Sequence, residues 1–161
     1  MLQAMGHPNV CVLDGGFPKW TKEGRAVHAT DFNASADAFG YKLDANKIKY
    51  LDQIKAFAGN EAERNYQLLD ARATEAFEAG NIPGAQNVPF SKVFNVETKE
   101  MKSADERKAF FEAAGVDLEK DITLTCTGGV SATVLYASLK DIAKGKLSVY
   151  DGSWTEFSKY Q

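Results

Sequence analysis

One segment of the sequence combines a potential nucleophile with the backbone needed to activate it. Residues 121–135 read DITLTCTGGVSATVL, in which a β-rich run ends at Cys126, a glycine pair follows, and a helical pattern begins near Val130. Cysteine reacts as the thiolate, and a sulfur at the first turn of a helix meets unpaired N–H groups and the positive end of the helix dipole. The segment therefore predicts an activated thiolate at Cys126.

The residues after the cysteine shape the predicted cradle. Gly128 and Gly129 lack a Cβ atom, so the chain can bend tightly and turn successive N–H groups inward, and Ser131 adds a hydroxyl donor. Such a loop suits both a thiolate and an anionic substrate. The alternative is a buried, inert cysteine followed by an ordinary tight turn. This segment alone leaves both interpretations open.

The elements around this loop alternate between strands and helices. Short apolar runs predict strands at 47–50, 67–71, 85–90, 121–125 and 147–150. Helical spacing predicts helices at 51–57, at 73–78, from Ser103 and at 130–143, the last of which is expected to bury Val130, Val134, Leu135, Leu139 and Ile142. This order predicts an α/β fold with a mainly parallel sheet, whose ligands bind at the carboxyl ends of strands. Loop 126–129 would lie at such an end.

A weak internal repeat suggests the domain organisation. Residues 9–20 read NVCVLDGGFPKW, and residues 146–157 read KLSVYDGSWTEF. We expect residues 1–24 to be the last strand and helix of a preceding domain of the same type, 25–46 a linker, and 47–161 the complete domain. Cys11 is then a structural cysteine in a strand, and Trp20 and Trp154 are core anchors.

Composition narrows the function classes. The 161 residues are 44% hydrophobic and 25% charged with a net charge of −3, which is typical of a soluble globular domain. No basic stripe indicates nucleic-acid binding, and no apolar run approaches the ~18 residues of a membrane span. Two distant cysteines are typical of a reduced protein of the cytoplasm or mitochondrion. No Cys/His cluster has zinc spacing, so we expect no metal and no cofactor.

Four short segments together resemble the rhodanese family. They are LLDAR at 68–72, GNIPGAQNVPF at 80–90, CTGGVS at 126–131 and VYDGSW at 149–154, in the family's order. The resemblance implies a rhodanese-like α/β fold, with a five-stranded parallel sheet flanked by helices on both faces. It also implies the C-terminal, catalytic domain of a two-domain thiosulfate/3-mercaptopyruvate sulfurtransferase, with a preceding rhodanese domain of the same chain as partner.

The resemblance further implies a reaction. A sulfane sulfur would pass from thiosulfate or 3-mercaptopyruvate to cyanide or a thiol through a persulfide on Cys126. Arg72 would bind the anionic end of the donor, unless it forms an ion pair with a nearby carboxylate. Charge on the sulfur would be held by the loop residues Thr127, Gly128, Gly129, Val130 and Ser131.

Several positions depart from the family's pattern. Asn81 stands where histidine is common, and Glu78 stands about where mercaptopyruvate enzymes carry a second arginine. The loop CTGGVS also lacks the cations found in thiosulfate enzymes, so the donor stays open. A persulfide carrier and a non-catalytic interaction module remain alternatives. A phosphatase would need a longer loop ending in arginine, which this chain lacks. Without the preceding domain we expect slower turnover.

Overall fold

The computed structural model describes residues 1–29 and 40–160, and a five-stranded parallel sheet lies at its centre. The strands are β1 (Ile48–Lys49), β2 (Gln67–Asp70), β3 (Gln86–Asn87), β4 (Ile122–Thr125) and β5 (Leu147–Tyr150). They run in the order β1-β5-β4-β2-β3, and every pairing is parallel. The predicted α/β fold with a parallel sheet is confirmed, and the cysteine follows the central strand.

Helices connect the strands. In the described part of the chain they are α1 (Gly16–Lys22), α2 (Leu51–Gly59), α3 (Thr74–Glu78), α4 (Ala104–Ala113), α5 (Val130–Leu139) and α6 (Ser153–Phe157). The Ser103 side chain accepts from the Glu106 amide while the Glu106 carboxylate accepts from the Ser103 amide, which confirms the predicted helix start. None of these helices is long and apolar enough to cross a membrane.

Two apolar clusters cover the opposite faces of the sheet. Successive strand residues point to opposite faces, and accordingly Leu68 and Leu69 belong to different clusters. Helices α4 and α5 cover one face, where Phe111 and Leu135 are buried, and α2 and α6 cover the other. Strand β4 is buried along its whole length because it lies at the centre of this sandwich.

Helix α5 differs from its prediction at both ends. It ends at Leu139 rather than near residue 143, and Val130 is 79% exposed instead of buried. Leu135 and Leu139 are buried as predicted, but Ala132 and Ser138 are buried too. Val130 is the first residue of α5, where the chain has just left the cysteine loop, so its side chain lies beyond the apolar face that the rest of the helix presents to the sheet.

The amino-terminal segment is held to the domain by a few contacts. Residues 9–13 join none of the five strands of this sheet, and α1 follows them; that residues 1–24 end a preceding domain stays a prediction. The Asp14 carboxylate accepts from the Met101 amide, and Lys19 pairs with Glu100. Cys11 is exposed in this chain, so its role as a structural cysteine of a preceding domain stays a prediction. The expected linker falls partly on residues 30–39, which lie outside the described residues.

Candidate active site

Cys126 lies in the loop between the end of the central strand β4 and the start of α5. The strand β4 closes at Thr125, loop 126–129 turns, and α5 starts at Val130. The loop residues Thr127 and Gly128 are exposed, but Cys126 itself is only 1% exposed and packs at the edge of one core cluster. The thiol is therefore covered, and its burial alone does not distinguish an activated from an inert cysteine.

Hydrogen-bond donors nevertheless lie beside the sulfur and lower its pKa. They are the amides of Gly128, Ser131 and Ala132 and the hydroxyl of Ser131. Burial by itself raises the pKa of the Cys126 thiol, but these hydrogen bonds, led by the Ser131 hydroxyl, outweigh it and leave that pKa below its ordinary value. Gly128 and Ser131 from the predicted cradle, together with Ala132, thus account for the lowered pKa of this buried thiol.

The two glycines of the loop differ in whether the backbone requires glycine at their positions. Gly129 has a φ of 81°, and a Cβ atom on it would lie 3.0 Å from both the backbone oxygen and the carboxylate Oδ1 of Asp151. A side chain at this position would therefore be strained and crowded. No atom lies within 4 Å of a Cβ built on Gly128. Only Gly129 is thus required by the backbone.

The residues that open α6 anchor the loop through its backbone. The hydroxyl Oγ of Ser153 accepts from the amides of Cys126 at 3.2 Å and Gly129 at 3.0 Å, and it donates to the carbonyl of Tyr150 at 2.8 Å. The amide of Gly129 is consequently directed away from the sulfur, which corrects the expectation that it holds sulfur charge. Ser153 is fully buried, so these bonds are shielded from water.

Two further bonds tie the loop to α6. The amide of Trp154 donates to the carbonyl of Cys126 at 3.0 Å. The carbonyl of Thr127 accepts from both the amide of Thr155 at 2.9 Å and its hydroxyl at 2.7 Å. Thr127 thus contributes its carbonyl to the anchoring. The exposed side chains of Thr127 and Val130 lie on the outside of the loop.

Arg72 is occupied by protein groups. Its guanidinium donates to the Asp70 carboxylate, with Nε–Oδ2 at 2.9 Å and Nη2–Oδ2 at 2.7 Å, and to the carbonyls of Ala76 at 3.1 Å and Gly80 at 2.8 Å. It also lies 4.9 Å from the centre of the Trp154 ring. Asp70 is fully buried, and Arg72 is nearly so. This geometry favours the ion-pair alternative over donor binding, because the charge is already compensated.

The remaining predicted residues lie further from the chemistry. The side-chain Nδ2 of Asn81 donates to the carbonyl of Phe77, and Glu78 is exposed. Trp154 is partly buried against the second core cluster, as expected. Trp20 is not a core anchor, since its indole N–H donates to Ala26 and Arg25 lies over its ring. In residues 1–29 and 40–160 no group of three or more His, Cys, Asp or Glu side chains could hold a metal ion.

Three residues of the candidate site were not predicted from the sequence. Ala132 occupies the third position of α5, where an unpaired N–H is expected, so the helix start could have revealed it. Ser153 belongs to the VYDGSW segment, which gave no indication of a contact with the loop, and Thr155 carried no signal. They follow β5, and only the pairing of β5 with β4 brings them beside the cysteine loop.

The lowered pKa of Cys126 predicts a pH dependence of stability. The folded chain releases the thiol proton at a lower pH than the unfolded chain does, so the stabilisation is present above the unfolded pKa of ~8.5 and is lost as pH falls through the folded value. Urea unfolding of the Cys11→Ser protein across this range should therefore show stability rising with pH. The Cys11→Ser/Cys126→Ser protein should lack that rise, and equal slopes for the two proteins would contradict the prediction.

Comparison with known proteins agrees with this geometry. The sequence pattern of the Rhodanese-like domain matches residues 53–160. The chain is 37% identical to the thiosulfate sulfurtransferase of Gallus gallus over 98% of its own length and 56% of that protein. It is 34% identical to the 3-mercaptopyruvate sulfurtransferase of Mus musculus, over 98% of its own length and 55% of that protein.

A solved structure shows the same fold. The structure of SseA from Escherichia coli, described as a 3-mercaptopyruvate sulfotransferase with the rhodanese fold, superposes with a TM-score of 0.79 at 29% identity. The match covers 96% of this chain and 60% of SseA. The chain thus spans a little over half the length of the curated relatives cited above. With the domain pattern matched over residues 53–160, the chain belongs to the rhodanese family.

Proposed function

We propose that this chain carries the sulfur-transferring domain of a sulfurtransferase, with Cys126 as the nucleophile. The observation that carries the proposal is the set of four donors directed at one cysteine sulfur at the carboxyl end of the central strand. A purely structural cysteine has no need of such donors, because a neutral thiol is a weak hydrogen-bond acceptor. The relatives named as thiosulfate and 3-mercaptopyruvate sulfurtransferases support the same reaction class.

The reaction is a double displacement. The Cys126 thiolate attacks the outer sulfur of thiosulfate, the sulfur–sulfur bond of the donor breaks, and sulfite leaves with the electron pair. With 3-mercaptopyruvate the carbon–sulfur bond breaks instead, and the departing carbon takes a proton to give pyruvate. An acceptor such as cyanide or a thiolate then attacks the outer sulfur of the persulfide, and the Cys126 thiolate is released.

The cradle stabilises the anionic species at each stage. The amides of Gly128, Ser131 and Ala132 and the Ser131 hydroxyl are oriented before reaction, so they stabilise charge on the sulfur without reorganisation. The donor enters past the exposed residues Thr127 and Gly128. We assign Arg72 the task of holding Trp154 and the start of α6, since its guanidinium is paired with Asp70.

A persulfide carrier is the second candidate. Residues 126–131 contain no cation, so nothing in the loop itself neutralises a small anionic donor such as thiosulfate. A protein persulfide would need no such charge, and a carrier would use the same cradle. A non-catalytic interaction module is less favoured, because it would need no donors on the sulfur.

The preceding rhodanese domain is part of the proposal. The chain covers only 56% and 55% of two relatives, and the apolar side chains of Val12, Leu13 and Phe17 are exposed near its amino-terminal end. We propose that another domain of the same type covers these residues and closes the donor site, which would make turnover by this chain alone slower.

The free cysteines are consistent with a reducing compartment, the cytoplasm or the mitochondrion.

Direct detection of the persulfide tests the proposal. The chain is incubated with thiosulfate or with 3-mercaptopyruvate, and the intact mass is measured before and after addition of cyanide. We expect a gain of about 32 Da, one sulfur atom, located on the peptide that contains Cys126 and removed by cyanide. A gain with a protein persulfide as donor but with neither small molecule would identify a carrier. No gain from any donor would contradict sulfur transfer.

A further inference from the structure

The first residues of α6 bond to the backbone of the Cys126 loop. Ser153 and Thr155 lie 27 and 29 positions after Cys126 in the sequence, and their side chains bond directly to the loop backbone. We infer that Ser153 and Thr155 are positioning residues, which turn the loop amides toward the reacting sulfur. This inference rests on the proposed function and deepens it, because it identifies what keeps the loop amides oriented as donors to the Cys126 sulfur.

Thr155 orients one sulfur donor through the geometry of a peptide unit. In a trans peptide, the carbonyl of one residue and the amide of the next point in opposite directions. The carbonyl of Thr127 is held by the amide and the hydroxyl of Thr155 at 2.9 Å and 2.7 Å. The amide of Gly128 belongs to the same peptide unit, so it must point away from α6, and there it donates to the sulfur.

Ser153 restrains the loop at both of its ends. Its hydroxyl accepts from the amide of Cys126, where the loop starts, and from the amide of Gly129, where α5 is about to begin. The same hydroxyl donates to Tyr150 at the end of β5, so the loop is tied to the neighbouring strand. Because both ends of the loop are held, the direction in which α5 leaves the loop is fixed. The directions of the Ser131 and Ala132 amides in the first turn of α5 are fixed with it.

The backbone at Ser153 indicates that this arrangement is costly and specific. Ser153 has a φ of 51°, a left-handed conformation that residues other than glycine adopt rarely, and it is fully buried. Such conformations cost on the order of 1–3 kcal/mol and persist only where surrounding contacts determine them. Here the contacts are the three hydrogen bonds of the Ser153 hydroxyl.

Titration of the Cys126 thiol tests the inference without any sulfur donor. All variants carry Cys11→Ser, so that Cys126 is the only thiol, and thiolate absorbance is followed against pH with the matching Cys126→Ser protein subtracted. Thr155→Val removes the hydroxyl at nearly constant shape. We expect its titration midpoint to move to higher pH and its alkylation rate near neutral pH to fall by about two- to tenfold, as for one lost hydrogen bond.

Companion variants separate positioning from stability. Thr155→Ser keeps the hydroxyl and should restore the parent titration. Ser153→Gly removes the hydroxyl but relieves the left-handed backbone, so it should stay folded and shift the midpoint at least as far as Thr155→Val. Thr21→Val is the matched control, since the Thr21 hydroxyl also donates to a backbone carbonyl, in α1, and it should change nothing.

Clear outcomes would overturn the inference. Parent-like titration midpoints in folded Thr155→Val and Ser153→Gly proteins would show that α6 does not orient the sulfur donors. An alkylation rate that falls equally at every pH would show altered access to the thiol instead. Failure of the proposed function is a separate result, because a chain that takes no sulfur from any donor still yields a thiol titration for each variant.

Discussion

The Cys126→Ser protein is expected to lose sulfur transfer by more than about a thousandfold, because no other group can replace the thiolate. A serine hydroxyl stays protonated near neutral pH and cannot carry a sulfane sulfur as a persulfide. The four donors around the sulfur would then face a neutral oxygen. The measurement is the steady-state rate of thiocyanate formation from thiosulfate and cyanide, together with persulfide detection by mass.

The second cysteine provides the matched control. Cys11 is exposed and lies in the amino-terminal segment, outside the loop, so Cys11→Ser should keep the parent rate. The loss in Cys126→Ser should also occur without unfolding, since a serine hydroxyl fits the site and can accept from the same amides; a thermal melt checks this. A Cys126→Ser protein that still transfers sulfur, or a Cys11→Ser protein that does not, would contradict the assignment.

The largest expected effect on stability comes from breaking the Asp70–Arg72 pair. Asp70→Ala leaves the guanidinium of Arg72 buried without its carboxylate, and loss of one partner of a buried pair costs roughly 3–5 kcal/mol of unfolding free energy. The free energy of unfolding in urea measures the effect. The double variant Asp70→Leu/Arg72→Met removes both charges and should recover much of the loss.

This prediction also decides between the two roles considered for Arg72. A donor-binding arginine would raise the KM for thiosulfate in Arg72→Lys with little change in stability. A structural arginine would lower stability in the same variant, because lysine cannot form the bidentate pair with Asp70 or reach both carbonyls. Glu112→Ala is the control, since it removes an exposed pair with Lys108 and should change stability by less than about 0.5 kcal/mol.

Arg72, Trp154 and the cysteine loop form one connected set of contacts. Arg72 packs against the Trp154 ring, and the Trp154 amide donates to the carbonyl of Cys126. Loss of Arg72 should therefore disturb the start of α6 and, through it, the loop. An arginine that touches no substrate can still change the reactivity of the sulfur by this route.

Much of the fold could be predicted because its signals are local. Apolar runs bounded by polar or turn residues marked all five strands within a few positions, and the Ser103 cap marked the start of α4. The failed predictions depended on contacts with other elements. The Val130 side chain, which was expected to be buried, is 79% exposed where α5 begins.

The sequence by itself predicted Cys126 as the candidate nucleophile and the loop that follows it, because strand, cysteine, glycine and helix start are adjacent along the chain. The tertiary structure alone decided that the sulfur is buried, that Arg72 is paired with Asp70, and that Ser153 and Thr155 hold the loop. The contacts of Ser153 and Thr155 with the loop arise because β5 pairs with β4, which brings residues far apart in sequence to the same edge of the sheet. Residue spacing does not encode that pairing, so no local pattern could reveal them.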